Sequence, residues 1–336
     1  MAVLSADQAF RKAFEFYRAG QTAQAEQLCR AVLKAEPGHA DSAYLLALIA
    51  ARDGRQTEAD RLLAHAVERR AFSIMLDYPV PDAPRHAAAP HARLHAVLER
   101  GIAGYGELLQ SFAQFVPALG AIAAAADRPD APHWNNPWIP SFDGIALYCL
   151  TALKRPRRYI EIGSGISTRF VRRAIRDHGL ATVIVSIDPE PRAGIDALCD
   201  EVIRAPLESS DLALFNGLTA DDLVFIDSSH RCFMGSDATV FFTEVLPALK
   251  PGVTVGVHDV FLPFDYPREW VPRYYSEQYL LACYLLAGDA PFRVTLPVHF
   301  ALAHASCRDA VHALARALPE GTPHGGTSFW LEMARR

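Results

Sequence analysis

Four short stretches hold the residues whose types and spacing suit chemistry. In RYIEIGSGIST, Gly163 and Gly165 follow an apolar run. Glycines there let the backbone turn sharply and come close to a ligand, while the next helix aims its N-terminal amides into the same space, which suits a nucleotide-like molecule. The run TVIVSID ends in Asp188, about twenty residues further on, where a carboxylate can accept hydrogen bonds from a ribose diol. The third stretch, DLVFIDSSHR, carries Asp227 and His230, and the fourth, LKPGVTVGVHD, ends in His258 and Asp259. An unperturbed imidazole titrates at about pH 6.5, so His230 is the candidate base. Asp227 either orients that ring or joins Asp259 in holding a hard divalent cation such as Mg2+. For His258 and Asp259 the alternative is a simple hydrogen-bonded pair at a strand end.

All four stretches close an apolar run, and after Arg158 such runs alternate with amphipathic segments. The pattern predicts strands at Tyr159–Ile162, Thr182–Ile187, Glu201–Arg204, Leu223–Ile226, Val253–Val257, Phe292–Leu296 and Ser328–Met333. Seven strands separated by helices imply an α/β fold: a doubly wound, Rossmann-like parallel sheet covered by helices on both faces. Ligands of such sheets bind beyond the carboxyl ends of the strands, where the strand order reverses. A dinucleotide fingerprint asks for glycine at position 168, and Thr168 stands there, which weighs against an NAD enzyme.

EIGSGIST, the ribose-binding position Asp188, FIDSSHR, the LKPG turn and the closing run TSFWLEM together resemble class I S-adenosylmethionine-dependent methyltransferases, the small-molecule and sugar O-methyltransferases in particular, over about residues 135 to 336. The resemblance implies S-adenosylmethionine as cofactor. It sets Glu161, Gly163, Ser164, Gly165 and Ser167 around the methionine moiety, Asp188 on the ribose and Glu208 near the adenine. Catalysis falls to His230 as base, with Asp227 as its partner or, with Asp259, as a metal ligand. The acceptor it implies is a hydroxyl of a sugar-like compound.

Ahead of this half the sequence repeats itself. A shift of 34 residues pairs Ala13 with Ala47, Gly20 with Gly54, Ala25 with Ala59, Leu28 with Leu62 and Leu33 with Val67. Small residues where helices meet, glycine at the turn and aliphatics at helical spacing describe a helix-turn-helix repeat, and the segment resembles about two tetratricopeptide units. Such units either dock a protein partner or a second copy of the chain, or pack as a cap. The expected organisation is repeats over 1–70, a linker with Pro79, Pro81, Pro84 and Pro90 and helices over 71–134, and the catalytic domain over 135–336. Trp134 and Trp138 line a substrate entrance or fill core. The stretch PFDYPREWVPRYYSEQYLL, with Tyr266, Trp270, Tyr274, Tyr275, Glu277 and Gln278, either faces a polyhydroxylated acceptor or packs on the sheet. His299 and His304 read as structural.

With 38 acidic against 33 basic residues and a net charge of -5, generic attraction to nucleic acid or anionic membranes is missing. The six cysteines form no CxxC pair, so zinc and dithiol chemistry are not indicated and the thiols are expected to be reduced. No stretch reads as a secretory signal or a membrane span, and a cytoplasmic location is expected. The rival to an enzyme is a non-catalytic scaffold that keeps the sheet and lends its helical repeats to a partner.

Overall fold

Seven strands form one sheet in the order β3-β2-β1-β4-β5-β7-β6. They are β1 (Arg158–Ile162), β2 (Val183–Ile187), β3 (Glu201–Ile203), β4 (Leu223–Ile226), β5 (Thr254–Val257), β6 (Phe292–Pro297) and β7 (Phe329–Met333). The computed structural model describes residues 5–68, 84–191 and 194–334. Every expected strand is present, and β1 to β5 pair in parallel. One departs from the all-parallel expectation: β7 runs antiparallel to both β5 and β6. Inserted between two strands of the opposite direction, it ends the parallel series and needs no right-handed crossover.

The sheet is apolar through its centre. Tyr159, Ile160, Val224, Phe225, Val255 and Trp330 are fully buried, and the Phe225 and Trp330 rings stack at 5.6 Å. Strands buried on both faces need continuous rather than alternating hydrophobicity, which is why these runs are legible without a period of two.

Two units divide at residue 80. In the first, α1 (Ala6–Arg18), α2 (Thr22–Ala35), α3 (Ala40–Arg52) and α4 (Gln56–Glu68) make two helical hairpins. Gly20 and Gly54 close the two turns with the same φ of +76°, a left-handed conformation that costs glycine nothing. Ala13, Ala25, Ala47 and Ala59 are buried where the helices touch. The Val67 side chain and the linker prolines Pro79 and Pro81 lie outside the described residues.

The second unit begins with α5 (Ala92–Glu99), α6 (Ile102–Ser111), α7 (Val116–Gly120) and α8 (Ser141–Lys154). The helices expected between the linker and the catalytic domain stand there as α5 to α7, with Leu98, Tyr105, Phe112 and Leu119 sharing one core with the sheet. The remaining helices are α9 (Ile166–Asp177), α10 (Asp237–Val240), α11 (Leu246–Ala248), α12 (Glu277–Ala287), α13 (Val298–Ala303) and α14 (Arg308–Ala315). Among the described residues no helix is long and apolar enough to cross a membrane.

Candidate active site at the carboxyl ends of the strands

Strand register lines up the candidate residues before any side chain is considered. Ile162 pairs with Ile187 and with Ile226, and Ile226 with Val257, so the next residues, Gly163, Asp188, Asp227 and His258, form a row across the sheet. The order reverses between β1 and β4, which opens a cleft there.

That cleft, about 380 Å³, is lined by Gly163 to Ser167, Asp188, Pro206, Leu207, Asp227 and Trp138, among others. Gly163 has φ +80°, and a Cβ on it would stand 1.9 Å from the carbonyl oxygen of Asp227, so only glycine lets β1 and β4 end this close together. Asp188 is oriented by backbone: Oδ2 accepts from Ser164 N at 2.8 Å and Oδ1 from Glu190 N at 2.8 Å. Each oxygen keeps a further lone pair for a ligand. Trp138 is 53% exposed at the cleft, whereas Trp134 is buried against Phe170, so the two tryptophans divide between the two roles open to them.

Two expected cofactor residues sit elsewhere. Glu161 is fully buried beneath the loop, not in the cleft, and accepts a short hydrogen bond from Thr168 Oγ1. Thr168 Oγ1 in turn accepts from Gly165 N at 3.2 Å. The residue that breaks the dinucleotide fingerprint therefore ties the glycine loop to a buried carboxyl. Burial pushes that carboxyl up to about 7, against the smaller opposing pull of its hydroxyl neighbours. Glu208 is exposed on a short turn after β3 and does not line the cleft, whose wall is supplied by its neighbours Pro206 and Leu207.

Beside the cleft lies a cluster of two histidines and four carboxylates. His230 Nε2 is 3.2 Å from Asp227 Oδ1 and 3.6 Å from Asp259 Oδ2, and its Nδ1 makes a short contact with Glu277. His258 Nδ1 is 3.2 Å from the same Asp227 oxygen, and its Nε2 is 3.2 Å from Asp143. Asp143, the third residue of α8, is held by the amides of Thr327 and Ser328 and by Ser328 Oγ at 2.6 Å. One oxygen each of Asp227 and Asp259 and a ring nitrogen of His230 lie within 4.8 Å of one another, close enough to share a cation.

The backbone is bent to build this. His230 (φ +60°) and Asp259 (φ +55°) both adopt the left-handed conformation, which histidine and aspartate tolerate better than most residues. At His230 the bend offers the carbonyl to the first amides of α12, Ser276 N at 2.8 Å and Glu277 N at 3.3 Å. Burial acts to lower both imidazoles, but the surrounding carboxylates outweigh it and hold them well above 6.5, Glu277 leading at His230 and Asp227 at His258. Burial acts to raise Asp227, and the two histidines hold it far below its ordinary value.

Asp143 and Glu277 are the functional candidates that sequence reasoning did not assign. Asp143 carried a signal, a lone acid in the apolar helix SFDGIALYCLTAL. Glu277 stood among residues thought to face an acceptor, but it is fully buried on His230. Its neighbour Gln278 braces the backbone at Phe261, and Tyr266 is buried too. Of that stretch Tyr274 and Tyr279 remain substantially exposed. His304 caps a helical turn and meets Glu99, and His299 packs on Phe261 and Phe264.

Residues 160–260 match the family model of a methyltransferase domain. That span runs from β1 past β5 and contains the loop, Asp188, Asp227, His230, His258 and Asp259, but not Asp143 or Glu277. Several solved structures resemble the chain, among them the following three. A SAH-bound methyltransferase of Podospora anserina, PaMTH1, is 16% identical, with 68% of this chain on 88% of that one and a TM-score of 0.37. The plantazolicin methyltransferase BpumL, in complex with a pentazolic desmethylPZN analog and SAH, is 13% identical, covering 72% and 100%, at 0.39. An O-GlcNAc transferase of Thermobaculum terrenum is 18% identical, covering 67% and 46%, at 0.20. No curated protein sequence matches the chain.

Proposed function

We propose that the chain transfers the methyl group of S-adenosylmethionine to a hydroxyl of a small polar acceptor, with residues 135–336 as the catalytic domain. The observation that carries this reading is Asp227, which lines the cleft and also touches both histidines of the adjoining cluster. A donor in the cleft, with its ribose on Asp188, would thereby have acid–base groups next to it. Transfer is an in-line displacement: the acceptor oxygen forms a bond to the methyl carbon as the carbon–sulfur bond breaks, leaving S-adenosylhomocysteine and a methyl ether. The acceptor proton passes to His230 in its neutral form, so turnover should climb with pH, because the neighbouring carboxylates hold the imidazolium well above 6.5. A hydroxyl is favoured because, unlike a neutral amine, it needs such a base.

A second assignment of the same atoms is favoured by charge. Four carboxylates surround two histidines, so the cluster stays negative even with both rings protonated. Asp227, Asp259 and His230 would hold a divalent cation, whose chemistry there is to polarise the acceptor hydroxyl; the nitrogen ligand suits Mn2+ better than Mg2+. The helical unit serves in this proposal as a tetratricopeptide-like surface for a partner or a second copy.

Calorimetric titration with S-adenosylmethionine, S-adenosylhomocysteine and NAD, each with and without Mg2+ or Mn2+, tests the reading. The methionine compounds should bind in the micromolar range and lose at least tenfold in Asp188→Ala, about the worth of hydrogen bonds to a charged group. Absence of binding would overturn the enzyme. Binding without turnover across a screen of polyhydroxylated acceptors would favour the scaffold, and metal-dependent turnover would decide for the cation.

A further inference from the structure

A second cavity, about 410 Å³, lies at the opposite ends of the parallel strands from the cleft. Thr254 opens β5 there, Arg293 and Thr295 stand two residues apart on β6, and Lys154 ends α8. Arg100 and the glycines of the first turn of α6, Gly101 and Gly104, form the other wall, while Leu108, Leu150 and Val294 supply apolar surface.

Its polar groups are unbalanced in one direction. Three cations line it, against the single carboxylate of Glu332, which Lys154 and Arg293 share at 2.7 and 3.0 Å. Asp221 also reaches Lys154, at 3.2 Å. Arg100 bonds only its own helix, at Ala96 O, among the described residues. The hydroxyls of Thr254 and Thr295 are buried with no hydrogen-bond partner among the described residues, and Thr254 is 1% exposed. A buried hydroxyl without a partner costs free energy, so two of them beside the one cation in excess, Arg100, mark polar capacity that the fold leaves unused. The N-terminus of the ten-residue α6, which has no side-chain cap, adds positive potential on the same side.

We propose that this cavity is a binding site for a small organic phosphate, separate from the proposed donor cleft. A phosphomonoester offers three acceptor oxygens, one each for the Arg100 guanidinium and the two idle hydroxyls, where a carboxylate offers two. The apolar wall takes the organic group.

The experiment is titration of the full chain with phenyl phosphate, in the presence of saturating S-adenosylhomocysteine so that the first cleft does not compete. Phenylacetate and phenol serve as the carboxylate and neutral comparisons. Saturable binding of phenyl phosphate is expected, tenfold or more tighter than phenylacetate, with none for phenol. Thr254→Val, which keeps the β-branched shape, and the exposed Arg100→Ala should each weaken it by about tenfold. Both variants should leave S-adenosylhomocysteine affinity unchanged and neither should lower the unfolding temperature, which Thr254→Val should raise by removing the unpaired hydroxyl. No saturable binding, equal affinity for phenylacetate, or indifference to both substitutions overturns the proposal.

Discussion

The cleft and the cluster sit side by side on the same row of strand ends, yet they are built on different principles. The cleft is made of backbone: a glycine turn, amides that aim Asp188, and strand ends brought close because Gly163 has no side chain. The cluster is made of side chains gathered from far apart, with Asp143 from α8, Asp227 and His230 after β4, His258 and Asp259 after β5, and Glu277 from α12. A backbone site leaves a local signature in the sequence. A side-chain site held by tertiary contacts does not.

Three substitutions sharpen this contrast. His230→Asn should cost most and act on turnover alone: asparagine accepts the left-handed backbone, so donor affinity should hold while the rate falls by about 10²- to 10⁴-fold. Loss of donor affinity in equal measure would show that cleft and cluster are a single unit. Gly163→Ala should damage both, because its Cβ collides with the backbone of Asp227. Denaturant unfolding should report a loss of about 3 kcal/mol, with donor binding lost as well.

Glu161→Gln has the smallest effect, confined to stability. Folded Glu161 keeps its proton up to about pH 7, whereas the unfolded chain releases it at about 4.5. The unfolded state therefore binds fewer protons between those values, and stability falls as pH rises through that window, by up to about 3 kcal/mol. Glutamine still accepts from Thr168 and does not titrate. Urea unfolding at pH 5 and pH 8 should show the variant gaining on the parent at the higher pH, and an unchanged difference would place the Glu161 carboxyl's titration outside that window.

Read beforehand, the sequence yields the strands and the cleft because buried parallel strands are continuous apolar runs and a glycine turn with an acid one strand later is a local pattern. Trp138, Asp188 and Asp227 line the cleft, and His230 lies buried beside it on Asp227. Glu161 and Glu208 do not line the cleft: sequence adjacency to a loop does not tell which way a side chain faces. Glu161 is buried on Thr168 and Glu208 is exposed to solvent. Asp143 and Glu277 could be paired with their histidines only through contacts spanning 115 and 47 residues. No periodicity carries such pairings.

The placement of β7 bears on how the molecule is made. The chain lays down β6 before β7, yet β7 fills the slot between β5 and β6, and Thr327 and Ser328 just before it hold Asp143. A nascent polypeptide emerging from the ribosome therefore has β6 waiting without its neighbour and Asp143 without its anchors until the last few residues of the described chain arrive. Synthesis itself sets the order: every residue that lines the cleft emerges before Glu277 and before the anchors of Asp143.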